Sequence, residues 1–563
     1  MKSPEHRRAA ILDRFPRWPN LTIAGLFDLA AVEHGARPAI LTVDEEFTYD
    51  RLREESRALA SGLIELGLQP GDHVAIVMAN FPEFPLVKLA LARIGAVAVP
   101  VNYALRRDEL RYVVEQSRSR FLVGMAMYRD RDYLADFVAI RKDVQGLERI
   151  IIRETNASAG DGVLVLDQVR SMASLESDRD LARCEAAASG CALSDIVYTS
   201  GTTGHPKGAM VTHDMVLRAA FSSALTRSFE DGRRIQFALP MYHVFGYVEC
   251  WIASLFVGGC IVPHPVFDAS TMLDWAERLE TTDMVCVPVM TEALIQEARA
   301  RTFHSPALLS VFNSGGVNPP SIWQYIREDL GAREIHTAYG MTETTASAMC
   351  TWTEDPEECL LETNGRTKLA GVAGDEALGG RVALYRAVDP ETGLEVPIGV
   401  DGELQVRGPI VTRGYYERPD ETAAAFTSDG WFRTGDLGRL IEGGYLRLTG
   451  RIKETYRCGG EMVMPREIET LLADFPGTSQ VLAVGIPDPR MGEVGCLCVV
   501  PEPGLVPDTD AMIALCAERL ARFKVPRHAV LIRAEDIPVT ATGRPQKFRL
   551  AKLAAELVSV RTT

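Results

Sequence analysis

The apolar positions change their period along the chain, and each change marks an element. Leu52, Leu59, Leu63 and Leu66 share one face of a helix predicted over 52–66, because residues three, four and seven apart stack on the same side. Val74-Ala75-Ile76-Val77-Met78 is a short run with no polar face and predicts a buried strand. Residues 84–94 return to helical texture, and 96–100 to strand. Alternation of this kind predicts parallel sheet covered by helices. Further on, Asp195-Ile196-Val197-Tyr198 predicts the end of another buried strand. Met210, Met215, Val216, Ala219, Ala220 and Ala224 predict a helix opened by Thr212.

The texture changes after about Gly380. Turn signals crowd together at Gly393, Gly399, Gly402, Gly408, Gly414 and Gly430, and the runs between them are short and antiparallel in style. Gly443-Gly444 predicts a hairpin returning through Leu446-Arg447-Leu448. The last hundred or so residues read as a small α+β domain. Strands are expected at 481–486, 494–500 and 530–533, and a helix at 510–523. The fold class is therefore α/β. A large N-terminal domain of mixed and parallel sheets with helices is expected over 1–451, with a small β-rich subdomain at about 380–451. A small α+β C-terminal lid follows over 452–563, the boundary falling at Arg451–Lys453.

A chain of 563 residues exceeds one compact core, and 47% hydrophobic content is globular rather than disordered. The net charge of −16 argues against nucleic acid as a partner. The eleven cysteines are scattered, without zinc-site spacing, and are expected as reduced, buried thiols in the cytoplasm. The basic N-terminus lacks an apolar core, so no signal peptide is expected. The most apolar run, about 84–101, contains Lys88 and Arg93 and is too short and charged to span a membrane.

The densest chemistry lies at 198–208, Tyr-Thr-Ser-Gly-Thr-Thr-Gly-His-Pro-Lys-Gly. Glycines let backbone N–H groups point inward, hydroxyls add neutral donors, and Lys207 adds a mobile charge. That mixture suits a loop around a polyphosphate. It is not a Walker A motif, because Pro206 precedes Lys207 and Gly208 follows it.

This loop resembles the phosphate-binding loop of the adenylate-forming enzymes, which include acyl-CoA synthetases, luciferases and stand-alone adenylation domains. Five further blocks occur in the family's order, and the resemblance spans the chain from about Leu21 to Lys547. The resemblance implies that Thr199, Ser200, Gly201, Thr202, Thr203, Gly204 and Lys207 hold the β- and γ-phosphates of ATP. Phe312 to Asn318 resembles the adenine-side loop, with Gly315 and Gly316 allowing close approach. Tyr339, Gly340 and Thr342 belong to a nucleotide-side turn, where Glu343 suits Mg²⁺ bridging the phosphates. Asp436 and Arg451 would hold the ribose from two sides. Met-Tyr-His-Val-Phe-Gly at 241–246 places His243 at the family's acyl-pocket position. Alone, a histidine among apolar residues is a satisfied core residue. The pocket would also involve Val289. Lys453 stands at the family's hinge, and Gly459, Gly460 and Glu461 resemble the loop that lines the pantetheine tunnel of CoA.

The implied chemistry has two halves. A carboxylic acid attacks ATP to give acyl-AMP and pyrophosphate. The thiol of CoA then attacks the acyl-adenylate. The pattern breaks at 538–544, Pro-Val-Thr-Ala-Thr-Gly-Arg. The family has a catalytic lysine where this chain has Arg544. The guanidinium keeps the charge but is planar and wider than an ammonium. Loss of a preorganised charge at the transition state costs about 10²–10³ in rate. Lys547 lies three residues on, roughly 5–10 Å away along the backbone. Adenylation is therefore expected to be weak or lost and thioesterification intact, with His243, Lys453 and Arg544 as the catalytic positions and a separate adenylating enzyme as a source of acyl-AMP. The alternatives are a fully competent ATP-dependent acyl-CoA synthetase that tolerates Arg544, a ligase loading a separate carrier protein, and a non-catalytic acyl-AMP or CoA sensor. A monomer or homodimer acting on a carboxylic acid or its acyl-adenylate and on CoA, with no membrane partner, is expected.

Overall fold

The computed structural model describes residues 2–154, 162–199, 206–315, 318–458, 461–539 and 545–562. The chain divides into two compact units. The larger comprises Met1–Gly315, Ile322–Leu384 and Arg407–Phe432; the smaller comprises Gly316–Ser321, Tyr385–Val406 and Arg433–Thr563.

Two seven-stranded sheets organise the larger unit. The first runs Lys207–Thr212, Leu193–Thr199, Val97–Pro100, His73–Val77, Phe121–Gly124, Arg149–Ile152, Val163–Val165. Every neighbouring pair is parallel except the first, which is antiparallel. The second runs Glu334–His336, Ser310–Asn313, Asp283–Cys286, Arg234–Phe237, Cys260–Pro263, Pro38–Leu41, Glu46–Thr48. It is parallel except at its last pair.

The helices follow their apolar stripes. Tyr49–Glu65 is capped by Thr48, whose hydroxyl accepts from Arg51 N at 3.2 Å, and it buries Leu52, Leu59 and Leu63. Glu83–Ile94 is buried from Phe84 to Ile94, which explains why its sequence has no polar face. Gly95 ends it at φ +83°, a left-handed cap that glycine adopts without a Cβ clash. One element differs from expectation. Met210 lies not in a helix but in the strand Lys207–Thr212, opposite Ile196. The helix starts at His213 with Thr212 as its cap. Backbone pairing on both edges of this strand, to Leu193–Thr199 and to Gly414, overrides the local periodicity.

In the smaller unit, strands Tyr445–Arg451, Phe432–Ile441, Gly402–Arg407 and Leu384–Val388 lie side by side in that order. The expected hairpin closes between Ile441 and Tyr445, with Gly443 and Gly444 both at φ +79°. The C-terminal portion is a sheet in the order Glu461–Val463, Tyr456–Cys458, Gly492–Pro501, Thr478–Asp488, with His528–Leu531 added in parallel to Gly492–Pro501. Helices Pro465–Leu471, Thr509–Arg519 and Lys547–Thr562 complete it. Its core includes Val463, Ile468, Cys496, Cys498, Met512 and Leu550. Two boundaries shift. The helix expected to 523 ends at Arg519, because Leu520 is extended. The last strand lies two residues upstream of 530–533, where the pairing of Cys496 with His528 sets its register.

The molecule is thus α/β with mixed sheets, ending in a small α+β domain. All eleven cysteines are free thiols, eight of them buried. Among the described residues no helix is long and apolar enough to cross a membrane.

Candidate functional site

The strands that flank residues 200–205 pair antiparallel, with Thr199 opposite Lys207. These two residues stand at the mouth of a hairpin. Ser200, Gly201, Thr202, Thr203 and Gly204 lie outside the described residues. A Cβ on Gly208 would stand 2.4 Å from Ile196 Cγ2, so this close pairing requires glycine. The second edge of Lys207–Thr212 is covered by residues 412–416. Met210 N donates to Gly414 O at 3.0 Å, Tyr416 N to Gly208 O at 2.8 Å, and Thr412 Oγ1 to Met210 O at 2.8 Å. This arrangement lays the Tyr415 ring under Lys207, whose Nζ is 5.1 Å from the ring centre, within cation–π range.

Tyr415 reaches the second motif as well. Ala338–Met341 and Ala346–Cys350 form an antiparallel pair, joined by the 3₁₀ turn Thr342–Thr344. A Cβ on Gly340 would lie 2.1 Å from Ala346 O, so no other residue fits there. Glu343, buried in the turn, accepts from Thr412 N at 2.7 Å through its carbonyl and from Tyr415 Oη at 2.8 Å through Oε1. Burial and the Glu343 charge hold the Tyr415 phenol protonated, well above its ordinary range. Sequence reasoning missed Tyr415. The available signal was Arg-Gly-Tyr-Tyr at 413–416, where the glycine was read only as a turn.

The third motif meets these two through the second sheet. His243 caps the short turn Val244–Gly246, its Nδ1 accepting from Phe245 N at 3.2 Å. Its imidazole is half-buried, and desolvation pushes it down to about 4; it is neutral at pH 7. Phe245 packs edge-on against Phe312 at 5.3 Å. Phe312 lies in the strand Ser310–Asn313, which leads to Ser314, and Ser314 Oγ donates to Ala338 O at 2.7 Å. Gly315 follows at φ +91°, with Val287 Cγ1 3.3 Å from where its Cβ would be. Gly316 lies outside the described residues. Val289 is exposed on the first turn of Pro288–Arg301. The larger unit thus gathers Thr199, Lys207, His243, Gly315, Tyr339, Gly340, Thr342 and Glu343 from four sequence blocks.

The remaining positions belong to the smaller unit. Asp436 and Arg451 are register partners on adjacent strands and form an ion pair through Oδ1 and Nε. Asp436 N donates to Thr434 Oγ1 at 3.1 Å. Lys453 is exposed in the turn Ile452–Glu454. Glu461 is exposed at the start of Glu461–Val463. Gly459, Gly460 and Arg544 lie outside the described residues. Lys547 is committed elsewhere. Its Nζ lies 2.6 Å from Glu469 Oε1, both side chains nearly buried, and the same oxygen accepts from Ala483 N at 2.8 Å.

The donor set bears on the metal. Among the described residues no three His, Cys, Asp or Glu side chains are grouped to hold an ion by themselves. Glu343 is a single buried carboxylate fixed by a neutral phenol, which fits Mg²⁺, an ion held by one or two carboxylates together with phosphate oxygens.

Residues 27–416 match the family model of the AMP-binding enzymes, and 467–544 match that of the AMP-binding enzyme C-terminal domain. The chain is 32% identical over 552 residues to YngI of Bacillus subtilis, which bears the name of an acyl-CoA synthetase; the match covers 96% of this chain and 98% of YngI. It is similar to ATP-bound MatB from Rhodopseudomonas palustris, with a TM-score of 0.79, 26% identity, and coverage of 95% and 100% of the two chains. The anthranilate CoA ligase AuaEII, solved with anthranoyl-AMP, shares the fold with a TM-score of 0.82 at 22% identity, covering 96% of this chain and 99% of that one. Family matches over 27–416 and 467–544, together with a relative 32% identical across 96% of the chain, place this chain in the acyl-CoA ligase family of adenylate-forming, AMP-binding enzymes.

Proposed function

We propose that the chain forms acyl-CoA thioesters from acyl-adenylates and is a weak or inactive adenylating enzyme. The carrying observation is Arg544 at the family's catalytic lysine position. The binding of Lys547 to Glu469 supports it, since the nearest lysine downstream is held in a buried ion pair. Moving it would leave Glu469 buried and unpaired, a strongly unfavourable change.

In this reading Thr199, Lys207 and the loop between them hold the phosphates. Glu343 supplies the protein ligand to Mg²⁺, which neutralises phosphate charge when bound. Gly315, Gly316, Tyr339, Gly340 and Thr342 line the adenine side. Asp436 and Arg451 take the ribose hydroxyls. His243, neutral, borders the acyl group and adds no charge to repel or trap a carboxylate. Lys453 is the hinge of the lid 452–563, and Gly459, Gly460 and Glu461 guide pantetheine to the site. Acyl-AMP is supplied by a separate adenylating enzyme in the cytoplasm. The test compares pyrophosphate release from ATP with a panel of acids against CoA-ester formation from synthetic acyl-AMP. The expected result is robust thioesterification with adenylation about 10²–10³ slower than in lysine-bearing relatives. Rapid pyrophosphate release overturns the proposal in favour of a fully competent synthetase.

Tyr415 gives a second check. Tyr415→Phe removes the hydroxyl that orients Glu343. Removing such an outer hydrogen bond typically costs about 10–100-fold in metal affinity. ATP binding should therefore need correspondingly more Mg²⁺, while AMP binding without metal stays as in the wild type. Equilibrium titrations at graded Mg²⁺ concentrations read both.

A further inference from the structure

The six residues Tyr247–Ile252 form a π-helical turn directly after the His243 turn, and all six are buried. π-Turns are rare and concentrate at functional sites. None of the roles above uses this one. Its side chains reach two different parts of the larger unit.

Tyr247 Oη donates to Asp195 Oδ2 at 2.9 Å. Asp195 lies in Leu193–Thr199, the strand that enters the phosphate hairpin. Glu249 contacts other elements. Its Oε1 accepts from Lys368 Nζ at 2.7 Å, from Ser347 N at 2.9 Å and from the Ser347 hydroxyl. Its Oε2 accepts from the Ser223 hydroxyl. Ser347 sits opposite Gly340 in the strand that follows the Glu343 turn. Ser223 lies on His213–Thr226, the helix that leaves the phosphate hairpin. The Glu249 carbonyl accepts from Arg227 Nη1 at 3.0 Å, and that guanidinium lies 4.7 Å from the centre of the Phe312 ring. Burial raises the Glu249 carboxyl, but the Lys368 charge and the hydrogen bonds outweigh it and hold the group below its ordinary range.

A buried ion pair of this kind adds little net stability over an apolar pair of the same shape. It adds registration. One carboxylate is bonded to two elements at once, and neither can slide against the π-turn without leaving a buried charge short of partners. We propose that Glu249, with Lys368, is a positioning residue that fixes the His243 turn in register with the strand pair carrying Gly340 and Glu343, so that one ligand can span the acyl and nucleotide sides. The inference rests on the assignment of those two sides under the proposed function.

The consequence is selective. Misregistration weakens a ligand that spans both sides and spares a ligand that occupies one. The variant Glu249→Gln/Lys368→Met removes both charges together and nearly preserves volume. Glu249→Gln alone strands the Lys368 ammonium and lowers the melting temperature, which the double variant restores. Binding to the full chain is measured for AMP and for octanoyl-sulfamoyladenosine, a non-hydrolysable acyl-adenylate. In the double variant AMP affinity is expected to hold, while the octanoyl compound weakens about tenfold, a coupling of the usual size between linked sites. Ser223→Ala/Ser347→Ala leaves the ion pair in place, keeps the fold should the first variant lose it, and is expected to shift binding in the same selective direction. Equal weakening of both ligands, or no change in either, in folded variants overturns the positioning role and leaves the proposed function standing. A wild-type chain that binds the octanoyl compound no tighter than AMP also overturns it. A wild-type chain that binds neither overturns the proposed function, and this inference with it.

Discussion

Arg544→Lys is expected to raise pyrophosphate release from ATP by about 10²–10³ and to leave CoA-ester formation from synthetic acyl-AMP nearly unchanged. The asymmetry follows from what each half-reaction asks of the cation. Adenylation brings a carboxylate against the α-phosphate, two anions that repel. A compact ammonium on a thin stem can sit between them. A guanidinium carries the same charge but spreads it over a planar fork of five donors. Thioester formation starts from acyl-AMP, where that approach is already complete. Lys547 cannot fill in without abandoning Glu469, so Lys547→Met should lower stability through the lost pair and leave the ratio of the two half-reactions alone. Rates of both half-reactions, measured on both variants, separate the cases. An Arg544→Lys protein that adenylates no faster than the parent removes the basis of the proposal. A gain in thioesterification equal to the gain in adenylation would show that the cation acts on a step common to both.

How much of this was legible in the sequence depends on the range of the interaction. The helix Tyr49–Glu65 and the strand His73–Val77 follow from local periodicity, because each is decided by which of its own faces is buried. The helix Glu83–Ile94, buried from Phe84 onward, was recoverable from its dense run of apolar residues. Met210 was not, since its strand exists only because Leu193–Thr199 and Gly414 pair with it. The same division holds at the site. Lys207, Gly340 and Glu343 stand in compact motifs that are visible in the sequence itself. Tyr415 meets Glu343 across 72 residues of sequence, and Lys368 meets Glu249 across 119. Tyrosine, lysine and glutamate at such distances carry no local signature. They become visible only when the fold sets one against the other.

The buried pair behind the phosphate hairpin carries the largest stability effect. Lys88→Met should destabilise the protein by about 3–5 kcal/mol, the usual cost of breaking a buried pair from one side. Lys88, on the helix Glu83–Ile94, is ion-paired with Asp195, and both side chains are essentially inaccessible. Asp195 also accepts from Tyr247 at 2.9 Å and from the Ser194 hydroxyl. Without Lys88 those hydrogen bonds remain, but the carboxylate has lost its countercharge in a site without solvent. Asp195→Asn breaks the pair from the other side and adds a pH signature. Burial already lowers the Lys88 amine from its ordinary 10.5, while the Asp195 charge and hydrogen bond hold it up. Removing that charge lowers it further. Between the folded and unfolded values the unfolded state then binds more protons, so stability rises with pH across that window. The Asp195→Asn variant should therefore gain more than the wild type on going from neutral towards mildly alkaline solution. Lys88→Met/Asp195→Asn removes both charges and should recover about 1–3 kcal/mol relative to the sum of the single changes. Urea unfolding of the four proteins at two pH values tests all of this. A Lys88→Met protein as stable as the wild type would mean that Asp195 is satisfied by its hydroxyl donors alone, and the strand entering the phosphate hairpin would then be held by Tyr247 rather than by charge.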